Sequence, residues 1–321
     1  MDLFITIRMR LRAIILLNLL SLPLYGQQEP YFAFTQFNFS IINPAFAGTQ
    51  GKDVFTLATR SQWSSVKGAP ESYAFTYSTE RDNNVGVGLS FISDKTFIEQ
   101  QTFAYIDFSY KLQFSKKSRL FLGLKGGGNF YSADLSSLEN FNNLNDPTKV
   151  AMSRLKPNLG VGVYLELSNN WIAFSAPRLI EVSRADQEDV FAKDRVHLYA
   201  AAGTSFTLNT DFSIKPSVAV RKVKGLALVT EVTALFSYNN QFSGGVQIRD
   251  NSSMGVLAML PITDKIGLGY AYESYLDNDL SGLNLTSHEF FIRIQLGKVK
   301  DDSQVSEQPA EQDLSSSNEQ N

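Results

Sequence analysis

The 321-residue chain contains no cysteine, two histidines and two tryptophans. Without thiols there are no disulfides, no thiolate nucleophiles and no cysteine-ligated metals. His197 and His288 both fall in strand-like sequence, where an imidazole is more often a structural hydrogen-bonder than a catalyst. No Gly-x-Ser-x-Gly elbow, phosphate loop or metal-ligand cluster occurs, and KGGGN at 125–129 is a glycine run within alternating sequence. The formal net charge of −3 leaves no basic field for nucleic acid. Beyond the N-terminal segment, no apolar run is long enough to cross a bilayer as a helix. The expectation is a non-enzymatic protein with no cofactor, no metal, no nucleic-acid partner and no helical membrane span.

What is present begins with a secretory signal. Arg8, Arg10 and Arg12 precede AIILLNLLSLPL; Pro23 closes the run short of a spanning helix, and Gly26 offers a cleavage position before Gln27. No cysteine follows, so this is not a lipoprotein signal, and residues 1–26 are expected to be removed during export. At the other end, KVKDDSQVSEQPAEQDLSSSNEQN is acidic and rich in Ser and Gln, the composition of a disordered tail over 298–321. It would be a periplasmic tether or simply a solvated extension.

Residues 53–297 alternate with a period of two. In FAYIDFSYKLQF, Ala104, Ile106, Phe108, Tyr110, Leu112 and Phe114 share one face, while Tyr105, Asp107, Ser109, Lys111 and Gln113 share the other. VGVGLSFI and EFFIRIQL behave alike, with Gly86, Gly88 and Ser90, then Glu289, Phe291, Arg293 and Gln295, on the second face. Alternation alone also fits a soluble sandwich. The connections separate the two. About fourteen strands can be counted, and every second connection (RDNN, SKKS, NN, NTD, NN, TDK) is a tight polar turn. The other set holds QWSSVKGA, the stretches 134–153 and 177–194, and DNDLSGLN, with KVKG and DNSS as short members. Short turns at one rim and long loops at the other predict an all-β, transmembrane outer-membrane β-barrel of about 14 antiparallel strands. Such a sheet must close, because lipid satisfies no free backbone N–H or C=O. An even strand count puts both ends of the barrel at the short-turn, periplasmic rim.

Within this plan Gly126, Gly127, Gly128, Gly244 and Gly245 suit tight curvature and close approach of an inner plug or ligand. Pro216 in IKPSVAV predicts a bulge. Asp107, Glu166 and Glu231 are expected to face the lumen, and Arg221, Lys222 and Lys224 either to bind lipopolysaccharide phosphates or a partner or to form a charged rim.

One stretch ahead of the first strand does not alternate: IINPAFAGTQ at 41–50. Pro44 and Gly48 forbid a stable helix, yet the segment is too apolar for a solvated linker. NPAFAGTQG at 43–51 followed by TRSQWSSVKGAPESYAFTYS at 59–78 resembles the PorP/SprF family of the type IX secretion system. The family pattern falls on Asn43, Pro44, Ala45, Phe46, Ala47 and Gly48, then Arg60, Gln62 and Trp63, then Gly68 and Pro70. VGVGLSFISDKT, KIGLGYAYES and TSHEFFIRI continue the resemblance in order, the last with Ser287, His288 and Glu289 as its signature. The acidic tail lies outside the pattern.

The resemblance implies an outer-membrane barrel of Bacteroidota-type bacteria, set in outer-membrane lipid. It would assist export or surface attachment of secreted surface proteins, gliding adhesins among them, that carry a C-terminal secretion domain, and would contact periplasmic components of the machine. A plugged transporter for small hydrophobic molecules is the alternative. In either case residues 27–52 are expected to form a plug or cap. Ile42 and Phe46 would bury against the inner wall while Pro44 and Gly48 fix the turns. A partner-binding edge, or a cap that merely starts strand one, would account for the same residues.

Overall fold

A computed structural model describes residues 31–63, 66–133, 152–183, 193–239, 241–250, 253–276 and 285–297. The expected signal peptide and acidic tail lie outside the described residues. The strands are β1 (Val54–Gln62), β2 (Glu71–Glu80), β3 (Val85–Thr96), β4 (Glu99–Ser115), β5 (Ser118–Ala133), β6 (Met152–Leu167) and β7 (Asn170–Ala176). Two-residue strands β8 (Val182–Ser183) and β9 (Lys193–Asp194) pair only with each other. The series continues with β10 (His197–Thr204), β11 (Phe206–Thr207), β12 (Phe212–Val223), β13 (Val229–Tyr238) and β14 (Phe242–Arg249). It ends with β15 (Ser253–Thr263), β16 (Ile266–Tyr275) and β17 (Thr286–Gln295).

Each long strand pairs antiparallel with its neighbours. β7 passes to β10 and β10 to β12, and β1 pairs with β17, so the sheet closes into a barrel of fourteen strands. β11 is a short continuation of β10 against β12. Among the described residues no helix is long and apolar enough to cross a membrane; the closed sheet leaves no lipid-facing edge that would need one.

The alternation becomes an inside and an outside. Phe91, Phe108, Leu124, Phe174, Phe236 and Phe290 are among the large apolar side chains exposed on the outer wall. Asp107, Lys125, Arg60, Glu273 and Glu289 are buried inside. An apolar outer band of this extent has no partner in water and requires acyl chains. One rim carries the turns 81–84, 116–117, 168–169, 208–211 and 264–265, while β5, β7 and β16 end at the other, where the most sequence separates one long strand from the next. At the long-loop rim, 97–98 is a two-residue exception, with Phe97 at φ 55°. Asn83 and Asn84, at φ 61° and 64°, give the 81–84 turn the left-handed pair that a tight hairpin requires.

Pro216 makes no bulge. β12 keeps its register with β13 through Pro216 and Ala234, and the irregularity falls on the other neighbour. There the ladder stops at Gly203–Ser217 and resumes in the same register at Phe206–Ile214, with Ser205 turning its N–H to the Asn169 carbonyl at 2.9 Å. The proline withholds a donor, and the adjacent strand breaks where the bond is missing.

Candidate functional site in the lumen

The N-terminal segment fills the barrel. From Tyr31 the chain passes through 3-10 turns at Ala33–Phe37, Phe39–Ile41 and Pro44–Phe46 before entering β1. Its apolar side chains complete two inner clusters. Phe32, Ala33 and Phe34 pack with Phe103, Leu235 and Phe291 among others, and Phe34 stacks on Phe291 at 4.7 Å. Phe39, Ala45 and Phe46 pack with Phe121, Tyr164 and Ala173, with Phe46 edge-on to Tyr164 at 5.4 Å. A lumen lined by these residues would be unfavourably hydrated if empty; the plug removes that apolar wall from water.

Asn43 shapes the middle of the plug. Its Oδ1 accepts from the Ala45 N–H at 3.0 Å, capping the turn that Pro44 opens, while its Nδ2 donates to the Val163 carbonyl at 3.1 Å. Gly48 sits at φ 76°, and its N–H donates to Ser78 Oγ at 2.7 Å. Ala47 offers its carbonyl to Ser109 Oγ at 2.6 Å.

These contacts are possible because the inner wall has glycines opposite the plug. A Cβ on Gly86 would lie 2.1 Å from the Ala47 carbonyl oxygen. On Gly123 it would lie 2.1 Å from the Ala45 nitrogen, and on Gly162 2.0 Å from Asn43 Oδ1. The glycines expected to play this part do not: Gly127 and Gly245 face strand carbonyls of Ala104 and Ala234, and Gly126 meets only Leu159 at 3.8 Å. The relevant glycines alternate singly with apolar residues, in VGVGL, FLGL and VGVYL.

Nearer the long-loop rim an ionic hub holds the start of the plug. Arg60 of β1 faces Glu289 of β17 directly across the seam that closes the barrel. Its Nη1 lies 3.2 Å from Glu289, and its Nη2 contacts Glu273 in a short ion pair. Glu289, fully buried, also accepts the N–H groups of Ala33 at 2.8 Å and Phe34 at 3.0 Å. One carboxylate thus ties the seam arginine to the first plug turn. Glu273 is shared with Arg249 at 3.0 Å, and Tyr31 bonds to Glu231 while its ring lies 3.4 Å from the Arg249 guanidinium. A second buried pair, Lys125–Asp107 at 3.0 Å, sits in register between β4 and β5, with Lys125 also donating to the Ser40 carbonyl at 3.3 Å.

The sequence-derived candidates therefore separate into groups. Asn43, Pro44, Ala45, Phe46 and Gly48 lie in the short-turn half of the lumen, with Ile42 half-buried beside the second cluster. Arg60, Gln62, Ser287 and Glu289 are buried in the long-loop half. Trp63, at φ 47°, leads out of β1 with its ring 6.0 Å from Tyr275. Gly68, at φ 76°, supports the Phe97 turn, and the Pro70 carbonyl takes the Gln62 N–H at 3.0 Å. His288 stands apart on the outer face, its Nδ1 2.7 Å from the Tyr270 hydroxyl. Glu231 and Arg249 complete the hub with no signal in the sequence beyond their inward parity; Glu273 lies within KIGLGYAYES, and Tyr31, ahead of the strands, has no parity to read. Asp107 and Glu231 face the lumen as expected, as does Glu166, paired with Arg119 at 2.5 Å.

Asn43→Ala is expected to remove the cap and the bonds to the Val163 carbonyl of β6 and the Phe174 carbonyl of β7 while leaving the barrel closed. The loss should be about 1–2 kcal/mol, read as a lower melting temperature in detergent with unchanged strand circular dichroism.

The family model described as type IX secretion system membrane protein PorP/SprF matches residues 24–294. No curated protein matches the chain. Among solved structures, the Acinetobacter baumannii outer membrane protein Omp33 is similar at 10% identity, over 77% of this chain and 100% of that one, with a TM-score of 0.46. The NanC porin is similar at 9% identity over 75% and 100%, with a TM-score of 0.43. A KdgM porin in complex with disordered oligogalacturonate is similar at 7% identity over 76% and 99%, with a TM-score of 0.36.

Proposed function

The chain belongs to the PorP/SprF family of type IX secretion system membrane proteins, and from that premise we propose that it is a non-enzymatic accessory of this export route. It assists export or surface attachment of cargo carrying a C-terminal secretion domain, and it meets periplasmic components of the machine at its short-turn rim. The long loops then face the exterior. Residues 1–26 are the removed signal, 27–52 the plug, 53–297 the barrel and 298–321 an acidic periplasmic tail.

The observation that carries this proposal is the occupied lumen. Two apolar clusters, a glycine-accommodated turn and a buried ionic hub all serve to hold the chain's own N-terminal segment inside the cylinder. A barrel blocked in this way is suited to acting through its surfaces on other proteins rather than as a pore. Asn43, Pro44, Ala45, Phe46 and Gly48, with Arg60 and Glu289, are proposed to act as plug fixings, not as a partner-binding edge.

Deleting the gene should remove secretion-domain cargo from the cell surface, and complementation should restore it, as read by surface proteomics. Cargo display unaffected by the deletion refutes the role. In planar bilayers the intact protein should show no steady current; ligand-dependent uptake with normal cargo display would instead favour a small-molecule transporter.

A further inference from the structure

On the outer wall, where β6, β7, β10 and β12 meet, the surface is indented. Val163, Phe174, Leu198 and Val220 stand around a hollow of about 480 Å³ whose floor includes Ala176 and Ala200. The cause is local: outward-facing Ala200 lies in register between Phe174 of β7 and Val220 of β12, so two large side chains flank one methyl group. β7 also ends at Ala176, short of its neighbour β6.

The hollow has one charged end. Lys222, opposite Leu198 and one residue from the end of β12, lines it at the long-loop rim. The Lys222 ammonium donates to the Leu226 carbonyl at 2.7 Å, which uses one of its three hydrogens. Beside it, Arg195 holds the Lys224 carbonyl at 2.8 Å, and the exposed Lys224 ammonium lies 3.6 Å from the Glu181 carboxylate. A lysine at the end of a membrane strand lays its stem along the apolar wall and places its ammonium at headgroup level.

We propose that this hollow binds one phosphate-bearing lipid of the external leaflet, for which phosphatidylglycerol is the simplest probe, with an acyl chain in the alanine-floored cleft and its phosphate on Lys222. The shape selects the chain and the lysine selects the headgroup, so neutral lipid of equal chain length should be held less well. The site needs only the membrane-facing wall and is independent of the export role.

Native mass spectrometry of the full mature barrel in neutral detergent tests this, with three probes of defined composition. These are phosphatidylglycerol, digalactosyl diacylglycerol with the same chains but no phosphate, and inorganic phosphate alone. One phosphatidylglycerol should be retained in preference to the galactolipid. Lys222→Gln should reduce that preference about five-fold. Ala200→Leu, filling the floor, should reduce retention of both lipids, with strand circular dichroism unchanged as the check on folding. Equal retention of the two lipids by the unaltered protein overturns the proposal, as does undiminished retention by a folded Ala200→Leu protein. Inorganic phosphate displacing the lipid completely would show a headgroup site without a chain site, and a polypeptide cross-linked across the hollow would make it a protein interface; either result also overturns it.

Discussion

Arg60→Ala is expected to cost about 3–5 kcal/mol of barrel stability, because it leaves buried carboxylates without their cation. The loss should fall unequally on the two partners. Glu273 keeps Arg249 at 3.0 Å and the Ser253 hydroxyl. Glu289, fully buried, keeps among the described residues only the N–H groups of Ala33 and Phe34. A carboxylate in that position either takes up a proton or draws in water, and both weaken its hold on the plug. Lysine is a poor substitute, since one ammonium does not reproduce a guanidinium that spans two acids. Arg60→Met with Glu289→Gln should recover part of the loss by removing both charges together. The measurement is the temperature at which the unboiled protein loses its compact electrophoretic band, followed alongside strand circular dichroism. An unchanged transition for Arg60→Ala would show that the hub is not structural.

Gly162→Ala and Gly123→Ala are expected to expel the middle of the plug while the cylinder survives. At both positions the added methyl group would meet the plug itself: Asn43 Oδ1 at 2.0 Å, or the Ala45 nitrogen at 2.1 Å and the Pro44 carbonyl carbon at 2.4 Å. Neither obstacle is the free tip of a long side chain, so relief requires movement of the 43–45 turn, with a penalty of at least about 1–3 kcal/mol. Neither glycine is at positive φ, so the strands themselves tolerate alanine. The expected result is ion current in planar bilayers and new protease cleavage within 31–50. Gly126→Ala is the control, since its nearest neighbour is Leu159 at 3.8 Å and it should behave as the parent protein. Silent bilayers for both lumen variants would mean that the plug bends aside without leaving.

The barrel was largely legible in the sequence because a period of two is a property of single strands. Each of Asp107, Glu231, Phe108 and Phe290 could be placed inside or outside from its own segment. The fourteen strands and the two unlike rims followed from connection lengths. Parity does not reveal which inward groups meet. Arg60 and Glu289 lie at opposite ends of the barrel sequence and become neighbours only through the β1–β17 register. Tyr31 reaches Glu231 only because the plug crosses the lumen. The glycine expectation went astray for a related reason: clusters such as Gly126–Gly128 are conspicuous, whereas a glycine that admits a plug needs only inward parity at the right height.

The position of the Arg60–Glu289 pair has one more consequence. The first and last strands form the line along which a cylinder of this kind would be unzipped sideways, and the acid on that line also grips the stopper. Prising the wall apart at this line would uncork the bore in the same movement. Opening the wall sideways and opening the bore lengthwise would therefore not be independent events, because both would have to release Glu289.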